Sequence, residues 1–317
     1  MTPPFTRHLR ALPAAVPFVG PETQERARGR AFRARLGANE SVFGPAPEAV
    51  AAMREAAAEA WMYGDPEIAE LKAALAAATG MPAAHLTVGE GVDGLLGVAA
   101  RLFLDREATA VTALGAYPTF AYHVAGLGAR LRRVPYRDDR ADLDALANAA
   151  RSEGARVVYL SNPDNPMGTW WSGADILAFR AALPPSCMLF LDEAYAEFAP
   201  EAAIPAVAPD DPGVIRFRTF SKAHGLAGLR VGYALAAPEV ASAFDKLRNH
   251  FGVGRVAQAG ALGALRAPGW LSDVVARVAA GRARLAEIAA ENGLEAVDSA
   301  ANFVAIDCGR DGAFAKR

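Results

Sequence analysis

The stretch that decides the reading runs Thr219-Phe220-Ser221-Lys222-Ala223-His224-Gly225-Leu226-Ala227-Gly228-Leu229-Arg230-Val231-Gly232-Tyr233. Lysine is costly to bury unless its amine is used. One use is a Schiff base with an aldehyde cofactor, and such a site must also hold a phosphate nearby. Ser221 offers a hydroxyl and Arg230 a planar fork, both suited to phosphate. The glycines between and after them let backbone approach a ligand closely. Upstream, the apolar run Met188-Leu189-Phe190-Leu191 reads as a buried strand ending at Asp192, where α/β sheets place their ligands. A carboxylate there can keep a pyridine nitrogen protonated, which makes the ring an electron sink. Tyr195, three residues on, is within reach of the ring's phenolic oxygen. Val157-Val158-Tyr159-Leu160 is a further strand candidate. It runs into the turn-rich Ser161–Thr169, where the amide of Asn165 can donate to the same oxygen.

With those residues in place the chain resembles the fold-type I pyridoxal-phosphate (PLP) aminotransferases, in particular the histidinol-phosphate aminotransferase branch. The resemblance rests on Asn165-Pro-x-Gly, Asp192-Glu-Ala-Tyr195 and Ser221-Lys222 with Arg230, in that order. Asn39-Glu40-Ser41-Val42-Phe43-Gly44-Pro45 is similar to the branch's N-E-x-x-x-G-P motif, and Tyr63-Gly64-Asp65-Pro66 to its Y-x-D-P. Gly89–Gly94 is similar to its phosphate-cup turn, Tyr117-Pro118-Thr119-Phe120 to the segment that lays an aromatic ring on the cofactor, and Ser299–Phe303 to S-x-A-N-F. The likeness spans the chain from about Pro17 onward.

The resemblance implies that Lys222 carries PLP and later acts as general base, while Asp192 grips the ring nitrogen. Asn165 and Tyr195 would hold the phenolic oxygen. Ser221 and Arg230, with the Gly91-Val92-Asp93 turn, would hold the phosphate. Phe120 would stack on the ring, and Asn39 and position 18 would face the substrate. It also implies an amino donor with a 2-oxo acid acceptor, 2-oxoglutarate. The working unit would be a homodimer in which Tyr63 reaches the other subunit's phosphate site.

Bulk properties set limits. The 317 residues can bury a large core, and 52% hydrophobic with 21% charged residues is an ordinary globular composition. A net charge of −2 with scattered Lys and Arg gives no argument for nucleic acid or a membrane as partner. No apolar run approaches the roughly 20 residues of a membrane span. The N-terminus lacks a signal-peptide core, so a cytoplasmic location is expected. Cys187 and Cys308 follow no ligand spacing and the five histidines form no array, so no metal is expected.

Alternating alanine-rich amphipathic segments and short β-branched runs argue α/β architecture. Strands are expected at Thr109–Ala113, Arg156–Leu160, Met188–Leu191, Ile215–Thr219 and Val231–Leu235. Helices are expected at Pro47–Trp61, Pro66–Thr79, Val92–Leu104, Asp142–Ser152, Ala174–Leu183, Pro238–Phe251 and Asp273–Asn292, with a late strand around Phe303–Asp307. The helix from Val92 would present free N–H groups to a phosphate. The resemblance implies a large mostly parallel-sheet cofactor domain, residues 41–254. A smaller discontinuous α+β domain would combine 1–40 with 255–317.

Three departures from the branch matter. Relatives continue past the position of Arg317 and carry there an arginine for the substrate carboxylate; Gly312–Arg317 looks like an interrupted helix, so truncation is expected. Position 18, usually tyrosine, is Phe18, which opens the donor to an aromatic amino acid. Val92 replaces the usual small residue in the phosphate cup, leaving only its backbone N–H. Two rivals stand beside transamination. One is a decarboxylase resembling the threonine-phosphate decarboxylases. The other is a PLP-sensing regulator, for which the chain offers no spare DNA-binding module.

Overall fold

The computed structural model describes residues 3–10, 12 and 19–309. In chain order its helices and strands begin with α1 (Arg7–Arg10), α2 (Pro21–Arg28), α3 (Pro47–Ala57), α4 (Ala69–Thr79), β1 (Leu86–Gly89), α5 (Gly91–Phe103), β2 (Thr109–Ala113) and α6 (Thr119–Leu127). Next come β3 (Arg130–Val134), β4 (Tyr136–Arg137), β5 (Arg140–Ala141), α7 (Leu143–Ser152), β6 (Val157–Ser161), α8 (Gly173–Ala182) and β7 (Met188–Asp192). The chain then forms β8 (Val214–Thr219), β9 (Gly232–Leu235), α9 (Pro238–Ala243), α10 (Arg255–Leu265), α11 (Pro268–Glu291), β10 (Glu295–Ala296) and β11 (Ile306–Asp307).

Seven strands form one sheet in the order β1-β9-β8-β7-β6-β2-β3. β3, β2, β6, β7 and β8 run parallel, and β9 pairs antiparallel with both β8 and β1. β1 therefore points the same way as the parallel set. The C-terminal ends of β1, β2, β6, β7 and β8 open on one edge, and β9 begins there. The register lines up Ser161, Asp192 and Phe217 across β6, β7 and β8, and Gly232 pairs with both Thr219 and Gly89. This crevice beyond the strand ends is where open α/β sheets bind ligands.

Period-2 side-chain alternation splits each buried strand between two cores. Tyr159, Phe190 and Phe217 pack with Leu95, Leu96 and Phe120 under α5 and α6. Leu160, Leu189 and Leu191 pack with Leu146 and Ile176 under α7 and α8. Asp142 caps α7 by accepting from the Ala145 N–H at 3.0 Å, and Ser172 and Asp175 form a capping box on α8.

One expectation needs correction. The helix read over Pro238–Phe251 ends at Ala243, with a single tighter turn through Lys246. Beyond it, Asn249 turns the chain by accepting the Phe251 N–H at 3.3 Å, and Arg248 reaches across to the Pro66 carbonyl at 2.7 Å. Just past residue 254, α10 packs against α3 and α4. Ala257, Ala261 and Ala264 share a core with Leu71, Val88 and Leu235. The small face permits this: a Cβ on Gly263 would stand 2.6 Å from the Ala49 Cα of α3. The long α11 instead covers the crevice side, joining Val274 to Tyr195, Phe198 and Ala301. Among the described residues no helix is long and apolar enough to cross a membrane.

Candidate active site

Asp192 closes β7 and is buried. Its Oδ1 accepts the Ala194 N–H at 3.0 Å and its Oδ2 the Tyr159 hydroxyl at 2.7 Å. Burial pushes its carboxyl up to about 6, against the pull of those two donors. Glu193, next in sequence, points to the other side of the sheet. There it takes a fork from Arg216 (2.8 and 3.0 Å) and a contact from Arg218 at 2.9 Å, which ties the end of β7 to β8.

Tyr195 follows on the next turn. Its hydroxyl accepts from Asn165 Nδ2 at 3.0 Å and from Asn39 Nδ2 at 3.1 Å. Burial raises this phenol well above its usual range, with the Asn39 amide pulling the other way. Asn165 is held by the turn after β6, where Asp164 accepts from the Met167 N–H at 3.0 Å and from the Tyr136 hydroxyl at 3.0 Å.

Lys222 follows β8. Its Nζ donates to the Ala38 carbonyl at 2.8 Å and to the Asn39 carbonyl at 3.3 Å, and it stands 5.6 Å from the centre of the Tyr195 ring. Burial lowers its affinity for a proton, which favours the nucleophilic amine. Ala38 and Asn39 both have positive φ (65° and 52°), so the N-terminal segment turns sharply where it crosses the lysine.

At the other end, Arg230 Nη1 donates to Ser221 Oγ at 3.2 Å. Its guanidinium lies above the start of α5, whose unpaired N–H groups favour anions. Gly91 (φ 73°) holds a backbone conformation that side chains disfavour, and a Cβ there would come 2.5 Å from Arg230 Nη2 and push the guanidinium aside. Asp93 stands 4.0 Å from Arg230 and 3.5 Å from the Tyr117 hydroxyl.

These groups line one cavity of about 350 Å³, which takes in Asn165, Asp192, Tyr195, Ser221, Lys222 and Arg230 together. Val92, Asp93 and Tyr117 complete the wall near α5. The donor set fits PLP. A buried carboxylate suits a pyridinium nitrogen, a phenol with an amide suits a phenolic oxygen, and a guanidinium, a hydroxyl and a helix start suit a phosphate.

One expected residue is elsewhere. Phe120 is fully buried in the core, stacked on Tyr159 at 4.9 Å with planes 13° apart, and Tyr117 is the aromatic on the cavity wall. The cause is the start of α6 at Thr119, which carries Phe120 onto the inner face of the helix. Tyr63 is 77% exposed and packs on Phe251 with ring centroids 4.5 Å apart, outside the cavity. Phe18 and the segment Gly312–Arg317 lie outside the described residues. Asn39 was expected at the substrate side; its amide meets Tyr195 and its carbonyl meets Lys222 and Asn302.

The doubly wound sheet and the lysine-centred crevice define a type I PLP-dependent aminotransferase architecture. The family model for aminotransferase class I and II matches residues 34–316, and the chain belongs to that family. It is 52% identical to the crystal structure of histidinol-phosphate aminotransferase from Sinorhizobium meliloti in complex with pyridoxal-5'-phosphate. That likeness has a TM-score of 0.96 and covers 100% of this chain and 85% of that one. It is 39% identical over 280 residues to histidinol-phosphate aminotransferase 2 of Ralstonia nicotianae (87% of this chain, 75% of the relative). It is 36% identical over 316 residues to an aromatic amino acid aminotransferase of Thermobifida fusca (98% and 86%). These relatives are aminotransferases rather than decarboxylases.

Proposed function

We propose that this protein binds PLP on Lys222 and transfers the amino group of histidinol phosphate, or of a closely related aromatic amine, to 2-oxoglutarate. The observation that carries the reading is the convergence of Asn165, Asp192, Tyr195, Ser221, Lys222 and Arg230 on one cavity. The high identity to a PLP-bound histidinol-phosphate aminotransferase supports the donor. The aromatic relative and the missing hydroxyl at Phe18 favour phenylalanine as the second donor to test.

When bound, PLP supplies a conjugated ring that takes up the electrons freed at the substrate's α-carbon. Asp192 holds the ring nitrogen in its protonated form. Asn165 and Tyr195 hold the phenolic oxygen. Ser221, Arg230 and the start of α5 fix the phosphate, so the ring keeps its place while bonds change nearby. Lys222, once its amine is free, takes the α-proton as general base, a task its lowered proton affinity suits. The working unit is a homodimer in which Tyr63 crosses to the phosphate site of a second copy. Trp61 and Tyr63 are 82% and 77% exposed, and with Phe251, on which Tyr63 packs, they offer the apolar surface for it.

The test is a half-reaction. PLP-loaded protein is mixed with histidinol phosphate, then with phenylalanine, without any acceptor. Loss of the visible cofactor band with histidinol phosphate, reversed by 2-oxoglutarate, is expected. No change with either amine, or carbon dioxide release without an acceptor, overturns the reading.

A further inference from the structure

Tyr159 lies in the centre of β6 and from its sequence context is an ordinary core aromatic. The structure places it otherwise. Its ring is 1% exposed and stacked on Phe120, while its hydroxyl emerges beneath the cavity and donates to Asp192 Oδ2 at 2.7 Å. That length is typical of a hydroxyl bound to a charged carboxylate. Asp192 thus receives one donor from its own turn, the Ala194 N–H, and one from the neighbouring strand. With the carboxylate buried, those two donors take over most of the hydrogen bonding that water gives an exposed carboxylate.

The other ionisable groups facing Asp192 do not substitute for Tyr159. Asp93, at the start of α5, disfavours a negative charge there. Lys222, on the turn after β8, favours one, but its amine is the group a cofactor aldehyde consumes. Tyr117 and Tyr195 sense Asp192 without donating to it. The Tyr159 phenol is itself held far above its usual range by burial and by Asp192, so it stays a donor at every working pH. Building on the PLP reading above, we propose that Tyr159 is a positioning residue. It keeps the Asp192 carboxylate charged and fixed at the cavity floor, and so sets the lowest pH at which a pyridinium ring is gripped.

The test compares the wild-type protein with Tyr159→Phe, which keeps the stacked ring and removes only the hydroxyl. The probe is pyridoxamine 5'-phosphate, which carries the ring nitrogen and the phosphate but has no aldehyde for Lys222. Its Kd is measured by calorimetry from about pH 5 to about pH 9, a span that takes in the titration of the raised carboxyl. The acid limb of the profile is expected to move up by about one unit, so that near pH 5 the variant binds about tenfold more weakly, while the two proteins converge at high pH. A control, Phe120→Leu, disturbs the stack but spares the hydroxyl and should keep the wild-type limb. Equal weakening at every pH, an unmoved limb in Tyr159→Phe, or the same shift in Phe120→Leu overturns the proposal and leaves the PLP reading intact. A wild-type protein that binds no pyridoxamine 5'-phosphate at any pH overturns both.

Discussion

The side-chain amide of Asn39 donates to the Tyr195 hydroxyl across 3.1 Å, although the two stand 156 positions apart in the chain. Asn165 donates to the same oxygen at 3.0 Å, so the phenol's own proton is left for an acceptor in the cavity. In an Asn165→Ala variant one of the two amides is gone, and an oxygen anion beside Tyr195 loses support. Turnover should fall about tenfold, the scale of one hydrogen bond to a charged group. The pH at which the bound cofactor's visible band changes should rise, because a negative phenolic oxygen is less favoured. A spectrophotometric pH titration checks this; a band with the wild-type midpoint speaks against the assignment.

Arg230 reaches Ser221 from a backbone in the left-handed region, φ 54°. That conformation costs a non-glycine residue about 1 kcal/mol. Arg230→Gly therefore separates two effects. The cofactor-free protein should melt no lower than wild type, since strain is relieved and an exposed side chain is removed. PLP affinity should fall on the order of tenfold to a hundredfold, because a charged donor to phosphate contributes roughly 1.5–3 kcal/mol. Equilibrium dialysis and thermal melts measure the two independently. Unchanged affinity would remove Arg230 from the phosphate site.

Asp164 supplies a pH test that needs no cofactor. Burial pushes its carboxyl up to about 6 from an ordinary value near 3.8, despite its bonds to Met167 and Tyr136. The folded protein therefore holds a proton there that the unfolded chain has released, and this favours folding only at the acid end. As pH rises from about 4 to about 6 that contribution is lost, on the order of 2–3 kcal/mol. Asp164→Asn has no such titration. The variant's melting temperature should climb relative to wild type across this window and run parallel to it above. Thermal melts at several pH values decide; a constant difference across the window contradicts the raised carboxyl.

Much of the site was legible because its chemistry needs particular residue types at strand ends. Asp192, Asn165, Lys222 and Arg230 each follow a recognisable apolar run or turn, the five strands expected between Thr109 and Leu235 all form, and the late one shortens to Ile306–Asp307. Three groups of features were not legible. β1 and β3 stand at the sheet edges; Arg130-Leu131-Arg132-Arg133-Val134 carries the charge that protects an edge, and so reads as polar. The helix α6 hides in Pro118–Leu127, where glycine and aromatics weaken the periodic signal, and its start decides that Tyr117 rather than Phe120 meets the cavity. The contacts of Tyr159 with Asp192 and of Lys222 with the Ala38 carbonyl depend on tertiary geometry alone. A tyrosine inside an apolar strand, and a backbone carbonyl far away in the chain, leave no local pattern to read.

The central claim is that Lys222 is the amine that binds PLP. Its most direct measurement is borohydride reduction of the PLP-loaded protein followed by peptide mass spectrometry. A pyridoxyl adduct on Lys222, absent from a Lys222→Ala variant, is the predicted result. An adduct on Lys72, Lys246 or Lys316 instead, or trapping that survives the alanine substitution, would contradict it.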